Sequence, residues 1–190
     1  MQTIERFLSD LDGKLCGVCD CQRAVEQTAS ILERYTAEHF PLPDRLTTLG
    51  SSKYARHLVY HSPDCGCCVV AMVWGPGQGT PVHDHAGTWC VEGCVQGRLR
   101  ITNYRLDEEL ANDRVRMTRQ ESIEVRPGAV GSLIPPFEHH TIENPFDEPA
   151  ITLHVYGKEL DVCTRFVEEE PGIYRVERVN MAYCSVPASA

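Results

Sequence analysis

Gly77-Gln-Gly-Thr-Pro-Val-His83-Asp-His85-Ala-Gly-Thr-Trp-Cys90-Val-Glu-Gly-Cys-Val-Gln-Gly97 is the stretch from which the fold can be read. Its two histidines are one residue apart and framed by glycines. On a β-strand, residues i and i+2 point to the same face. His83 and His85 are therefore expected to aim both imidazoles at one point, as a metal ion requires. A third histidine, in His140-Thr-Ile-Glu-Asn144, again sits in strand-like sequence. Three neutral nitrogen ligands with open positions make a centre that can bind substrate as well as a structural clamp.

The surrounding sequence is that of a β-rich chain with a helical preface. Ile4, Phe7, Leu8 and Leu11 recur at helical spacing, and residues 22–39 form a second helical stretch that Asp20 is placed to cap. Pro41 and Pro43 end this region. Beyond residue 50, short runs of Val, Ile, Thr and Tyr alternate with Gly, Pro and Asn. Strands are expected near 54–60, 68–74, 89–95, 98–105, 114–118, 122–126, 130–134, 139–143, 150–156 and 173–179. Gln96-Gly97 has the form of a hairpin turn, and Arg126-Pro-Gly128 marks another turn. Neither an internal repeat nor a second-domain linker is evident. The expectation is one domain over 1–190, with a helical preface at 1–49 and a small antiparallel barrel or jelly roll at 50–190. Such a barrel can hold a ligand inside.

Composition narrows the partners. The chain has 190 residues and a formal net charge of −9. Phosphate binding needs a basic patch, so nucleic acid is not expected as a partner. No apolar run approaches a membrane span, so no membrane partner is expected either. The N-terminus has early acidic residues and no signal-peptide core, which makes the cytoplasm the expected location. Ten cysteines without a secretory signal read as reduced thiols rather than a disulfide framework.

The spacing Gly77-x5-His83-x-His85-x4-Cys90-x6-Gly97 resembles the first cupin motif, with cysteine where glutamate is usual. Pro135-x4-His140-x3-Asn144 resembles the second, with Phe137 where glycine is usual. The loss of that glutamate leaves a neutral ligand set, and imidazole alone accepts iron, zinc, copper or nickel. Glu92 is the rival ligand. It lies two residues past Cys90, and its off-motif spacing favours a barrel-wall or surface role.

Further along, Tyr54-x-Arg56-x-Leu58-Val59, Trp74-Gly75, Cys90, Gln96-Gly97, His140-x2-Glu143-Asn144 and His154-x-Tyr156 occur in an order that resembles the cysteine dioxygenase family of cupins. The resemblance covers residues 50–165 closely. It implies ferrous iron held by His83, His85 and His140, with L-cysteine and O2 as substrates and cysteine sulfinate as product. It further implies that Arg56 binds the substrate carboxylate with help from Tyr54. Tyr156 would stand beside the iron with His154 as its hydrogen-bonding neighbour, and Cys90 would be joined to Tyr156 by a thioether. No obligate protein partner is implied. The chemistry agrees: a guanidinium fork suits a carboxylate, and a phenol near bound oxygen can donate a hydrogen bond.

Taken singly, these residues have plainer readings. Arg56 reads as a strand surface charge, Tyr54 as a barrel-wall aromatic and Tyr156 as core packing. Trp74 and Met181 read as core or pocket wall, and Cys94 and Cys163 as buried thiols. His39, His57 and His61 read as surface residues, and His139 as facing away from His140. Cys16-x2-Cys19-x-Cys21 and Cys65-x-Cys67-Cys68 lack paired CxxC spacing and read as incidental, redox-labile thiols rather than a second metal site. Two other functions stay open. One is a dioxygenase for another small thiol such as 3-mercaptopropionate, whose relatives commonly carry glutamine in place of Arg56. The other is a non-enzymatic cupin that senses or stores a metal or ligand.

Overall fold

A computed structural model describes residues 3–37 and 40–184. His39 lies outside them. Two helices come first: α1 (Ile4–Leu15), capped by the Thr3 hydroxyl, and α2 (Cys21–Thr36). The Asp20 side chain accepts the Arg23 backbone N–H at the start of α2, as the sequence predicts. A single 3-10 turn at 44–46 leads into the strands. These are β1 (Ala55–His61), β2 (Cys68–Trp74), β3 (Val82–His83), β4 (Cys90–Gln96), β5 (Leu99–Leu110), β6 (Arg114–Val125), β7 (Val130–Leu133), β8 (His140–Glu143), β9 (Ala150–Tyr156), β10 (Val162–Glu170) and β11 (Ile173–Asn180).

The fold is mostly β, as expected, and consists of antiparallel layers preceded by helices. One sheet runs β1-β2-β9-β4-β7, and the remaining strands close as β10-β11-β6-β5-β8-β3. Alternation along β2, β4 and β9 sorts the side chains between two environments. Val69, Ala71, Val91, Leu153 and Val155 face the helices, packing with Phe7, Leu11, Leu32 and Tyr35. Cys68, Val70, Met72, Trp74, Cys90 and Tyr156 face the opposite way, into the strand layers. Both faces of β2 and β9 are covered, so every residue of each is buried. β2 accordingly reads as a continuous apolar run, whereas β9 carries the buried polar residues Thr152 and His154 among its apolar ones.

Several local expectations need correction. The strands at 114–118 and 122–126 are one strand, β6. Thr102 pairs with Ser122 and Tyr104 with Arg119, so two residues of β6 oppose one of β5. That bulge is what reads as a break in the sequence. Gln96-Gly97 is not a hairpin, because β4 pairs with β7 and β9 while β5 pairs with β6 and β8. The connection crosses between layers. Gly97 is needed there: its φ is +75°, and a Cβ would lie 2.5 Å from the Pro149 carbonyl oxygen. β10 was not anticipated. It ends in three glutamates, and arginines carry part of its pairing with β11, Arg165 to Glu177 and Arg175 to Glu169. A charged, half-exposed strand lacks the apolar alternation by which strands are read.

Leu32 is fully buried between α2 and the sheet. Leu32→Ala should lower unfolding free energy by about 2–5 kcal/mol. Chemical denaturation monitored by circular dichroism would measure it, and a loss below about 0.5 kcal/mol would contradict this packing.

Candidate metal centre and adjoining cavity

His83 ends β3, and its direct antiparallel partner is His140, the first residue of β8. This pairing, rather than a long strand, brings the two imidazoles together, with ring centroids 4.6 Å apart. His85 lies beyond the end of β3, so strand alternation does not place it. A buried carboxylate does: Glu138 accepts the His85 backbone N–H at 2.8 Å and lies 3.4 Å from its Nδ1. The Asp84 carboxylate accepts the Thr164 and Ala86 N–H groups, pinning the segment between the histidines. One nitrogen from each of His83, His85 and His140 falls within 4.8 Å of the other two.

The electrostatics favour neutral imidazoles. Burial, then neighbouring imidazoles, holds His140 well below the ordinary histidine range. The same causes bring His83 to about 3. His83 Nδ1 lies 3.2 Å from the Pro81 carbonyl oxygen, and an Nδ1–H tautomer there leaves the Nε2 lone pair free. Both ring nitrogens of His140 and Nδ1 of His85 are buried without a hydrogen-bond partner. A buried unsatisfied polar group costs about 1–3 kcal/mol. Nδ1 of His85 and Nδ1 of His140 lie 3.4 and 3.7 Å from the Glu138 and Glu92 carboxylates, so His140 Nε2 is the buried, unpaired nitrogen that suits a cation.

Glu92 is not on the surface. Counting by two from Cys90 turns it inward, and it sits opposite His154 in the β4–β9 ladder. It is buried, with its carboxylate oxygens 3.7 Å from His140 Nδ1 and 3.4 Å from His154 Nδ1. Desolvation pushes its carboxyl up to about 8. It therefore stands behind the histidines rather than in their cluster.

Cys90 and Tyr156 are also direct cross-strand partners, and both are buried. Such pairs hold their Cβ atoms about 4.5–5.5 Å apart. Burial raises the Cys90 thiol, while a hydrogen bond from Tyr156 opposes the shift. Along β9, Thr152, His154 and Tyr156 share one face. Trp74 Nε1–H donates to Thr152 Oγ1 at 3.0 Å, and that oxygen lies 2.7 Å from His154 Nε2. Because the indole can only donate, the threonine proton is free to pass to His154 Nε2. That order leaves His154 Nδ1–H facing Glu92 and Cys90, whose Sγ is 3.9 Å away.

A cavity of about 380 Å³ meets the histidine cluster at His83, with Tyr54, Arg56, Trp74, His154 and Tyr156 also in its wall. Arg56 is only 4% exposed, which rules out the surface-charge reading. Its Nη1 donates to the Ala182 carbonyl oxygen at 3.3 Å, whereas Nε and Nη2 are buried without partners. The guanidinium lies over the Tyr183 ring, and Tyr54 stacks on Trp74 at 4.7 Å. Residues 181–184 are tied across this side by Met181 N–H to the Asp161 carbonyl and Cys184 N–H to the Arg56 carbonyl. Met181 lines the cavity too.

Among the other residues, Cys94 and Cys163 are buried and His61 is exposed, as expected. His139 packs against Phe166, outside the three-histidine cluster. His57 is a correction: it is buried, with Nε2 2.8 Å from the Thr48 carbonyl oxygen. Glu138 and Thr152 were missed. Thr152 carried a usable signal, being two residues before His154 on the same strand face. Glu138 carried none.

Residues 18–169 match the family model for cysteine dioxygenase type I. The human protein named cysteine dioxygenase type 1 is 26% identical over 143 residues, covering 75% of this chain and 69% of that protein. Its mouse counterpart is 27% identical over 144 residues, with the same coverage. The solved cupin domain of Schizosaccharomyces pombe Cnp3 aligns at a TM-score of 0.45 and 12% identity, covering 63% of this chain and 68% of that one. With the family model spanning most of its length, this chain belongs to the cysteine dioxygenase type I family of cupin thiol dioxygenases.

Proposed function

We propose that this chain oxidises L-cysteine with O2 to cysteine sulfinate at one ferrous iron held by His83, His85 and His140. The observation that carries the reading is Arg56, a buried guanidinium with two unpaired donor nitrogens in the wall of the cavity that reaches the histidines. A buried cation in that condition calls for an anion, and its planar fork matches a carboxylate. In the balanced reaction one thiol and one O2 give one sulfinate and one proton, with both oxygen atoms on sulfur. Ferrous iron, when bound, would supply coordination for the substrate thiolate and for dioxygen and share electrons with the latter.

The protein residues divide the remaining work. Arg56 orients the substrate by its carboxylate, with the Tyr54 hydroxyl as a second donor. Burial holds the Tyr156 hydroxyl well above its ordinary pKa. It therefore keeps its proton at neutral pH and donates a hydrogen bond as negative charge gathers on the reacting oxygen. The Trp74–Thr152–His154 chain fixes the His154 ring beside it. The Cys90–Tyr156 pair can close to a thioether if the thiol hydrogen and one ring hydrogen leave with two electrons, taken up by O2.

His140→Ala should retain the fold and lose most bound iron. Metal analysis after anaerobic reconstitution checks this, and full iron retention would remove His140 from the ligand set. Arg56→Ala should raise the KM for cysteine by one to two decades, the equivalent of about 1.5–3 kcal/mol for a hydrogen bond to a charged group. Cysteamine, which lacks the carboxylate, should be affected much less. Equal damage to both in an oxygen-uptake assay would sink the assignment, and a wild-type preference for 3-mercaptopropionate would favour that substrate instead. After prolonged turnover, peptide mapping should find the Cys90 and Tyr156 peptides joined with loss of two hydrogens. Wholly separate peptides would refute the link.

A further inference from the structure

The turn between β1 and β2 is fastened to the helical layer by a network that the histidine chemistry does not use. Asp12, in the last turn of α1, accepts the Tyr60 hydroxyl at 2.6 Å and the Ser62 hydroxyl at 2.7 Å. Ser62 Oγ in turn accepts the Cys65 N–H at 3.3 Å. The Ser62 main chain closes the loop: its N–H donates to the Cys67 carbonyl at 2.9 Å, and its carbonyl accepts the Gly66 N–H at 3.1 Å. Gly66 has a φ of +72°, in the left-handed region that favours glycine. The chain therefore doubles back within Cys65-Gly66-Cys67 and brings the two thiols together.

Cys65 Sγ donates to Cys67 Sγ at 3.1 Å, and both thiols are free. The two differ in access: Cys65 is half-buried, whereas Cys67 is buried. Burial, then the contact with Cys65 and the Asp12 carboxylate, pushes the Cys67 thiol well up. Both residues line a recess of about 130 Å³ with Leu15, Val18 and Trp89 in its wall. Room of that size suits a small molecule. Cys68, the next residue, belongs to the opposite face of the sheet, with its Sγ 3.5 Å from the Tyr183 hydroxyl. The pair thus lies on the helix side, away from the histidine centre.

We propose that Cys65 and Cys67 form a thiol–disulfide exchange site that reduces low-molecular-weight disulfides and is itself closed to a Cys65–Cys67 disulfide. The thiolate is the attacking species in such exchange. Cys65, the more accessible thiol, loses its proton to solvent and attacks one sulfur of the incoming disulfide. The sulfur–sulfur bond breaks, and the departing thiolate takes up a proton. The other half stays on Cys65 as a mixed disulfide. Cys67 then loses its proton to solvent, attacks Cys65 Sγ and expels the second half, which is protonated in turn. One disulfide becomes two thiols, and the pair gives up the same two electrons. A raised thiol suits Cys67 poorly as the entering nucleophile, but its place beside Cys65 Sγ makes the second step intramolecular. Asp12 is a positioning residue, holding Ser62 and through it the turn. The exchange uses neither iron nor dioxygen, so it stands apart from the oxygenation proposed above.

The test uses the full chain, fully reduced, freed of reductant and mixed with excess cystine without oxygen, so that iron and dioxygen cannot supply the oxidation. After acid quench and alkylation, peptide mapping should find Cys65 and Cys67 joined to each other with loss of two hydrogens. Two cysteines should be released per pair closed, and dithiothreitol should restore both thiols. In Cys67→Ser the reaction should stop halfway, with one cysteine released and the other half of cystine retained on Cys65. Cys65→Ser should leave Cys67 unmodified. The wild-type mapping stands without the variants, so a misfolded variant cannot shelter the proposal. Failure of cystine to close the pair in the wild type would overturn it. So would lasting mixed disulfides on both residues, or pairing of Cys65 with Cys19 or Cys21. Modification of Cys67 in Cys65→Ser at the wild-type rate would overturn the order of attack and with it the assigned site.

Discussion

The antiparallel pairing of β3 with β8 is the contact on which the site depends. β3 has only two residues, yet it is hydrogen-bonded on both sides, to β8 through His83 and His140 and to β10 through Val82 and His83. Closing that ring of strands and assembling two of the three histidines are therefore one event. The third, His85, is held by Glu138 through its backbone N–H. The cluster thus rests on main-chain bonds and one buried carboxylate, which limits its freedom before any ion arrives.

A second constraint is the inward face of the β2-β9-β4 layer. Alternation turns Cys90 and Glu92 of β4 and Thr152, His154 and Tyr156 of β9 to the same interior. Polar groups are concentrated there in a low-dielectric setting, and several go without partners: His140 Nδ1 and Nε2, Arg56 Nε and Nη2, and Glu92 Oε2. In an ordinary core each would be a net cost to folding. Their stability cost is offset elsewhere, chiefly by the apolar layer where α1 and α2 cover the other face of the same strands. Local departures of this kind are expected where a fold serves chemistry.

Much of this was legible in the sequence. The helical preface with its Asp20 cap and the continuous apolar run of β2 follow from short-range periodicity, whereas strand alternation does not account for the His-x-His pair, because His85 lies beyond β3. What escaped depends on tertiary context. A bulge divided β6, charge hid β10, and the layer crossing at Gly97 looks like a hairpin until the partners of β4 and β5 are known. Counting two from Cys90 lets Glu92 share the inward face, but its off-motif spacing favours a barrel-wall or surface role, and the structure buries it opposite His154. Glu138 has no spacing signature, because its role is set by a contact 53 residues away in the chain.

The central claim is that the histidine cluster and Arg56 together make a centre for oxygenating a small thiol that bears a carboxylate. The most direct measurement is a single-turnover reaction of iron-loaded protein with L-cysteine under isotopically heavy dioxygen, with the product analysed by mass spectrometry. The account predicts one dioxygen consumed per thiol and cysteine sulfinate carrying both heavy atoms. Cystine as the main product, or sulfinate with only one oxygen atom from dioxygen, would contradict it.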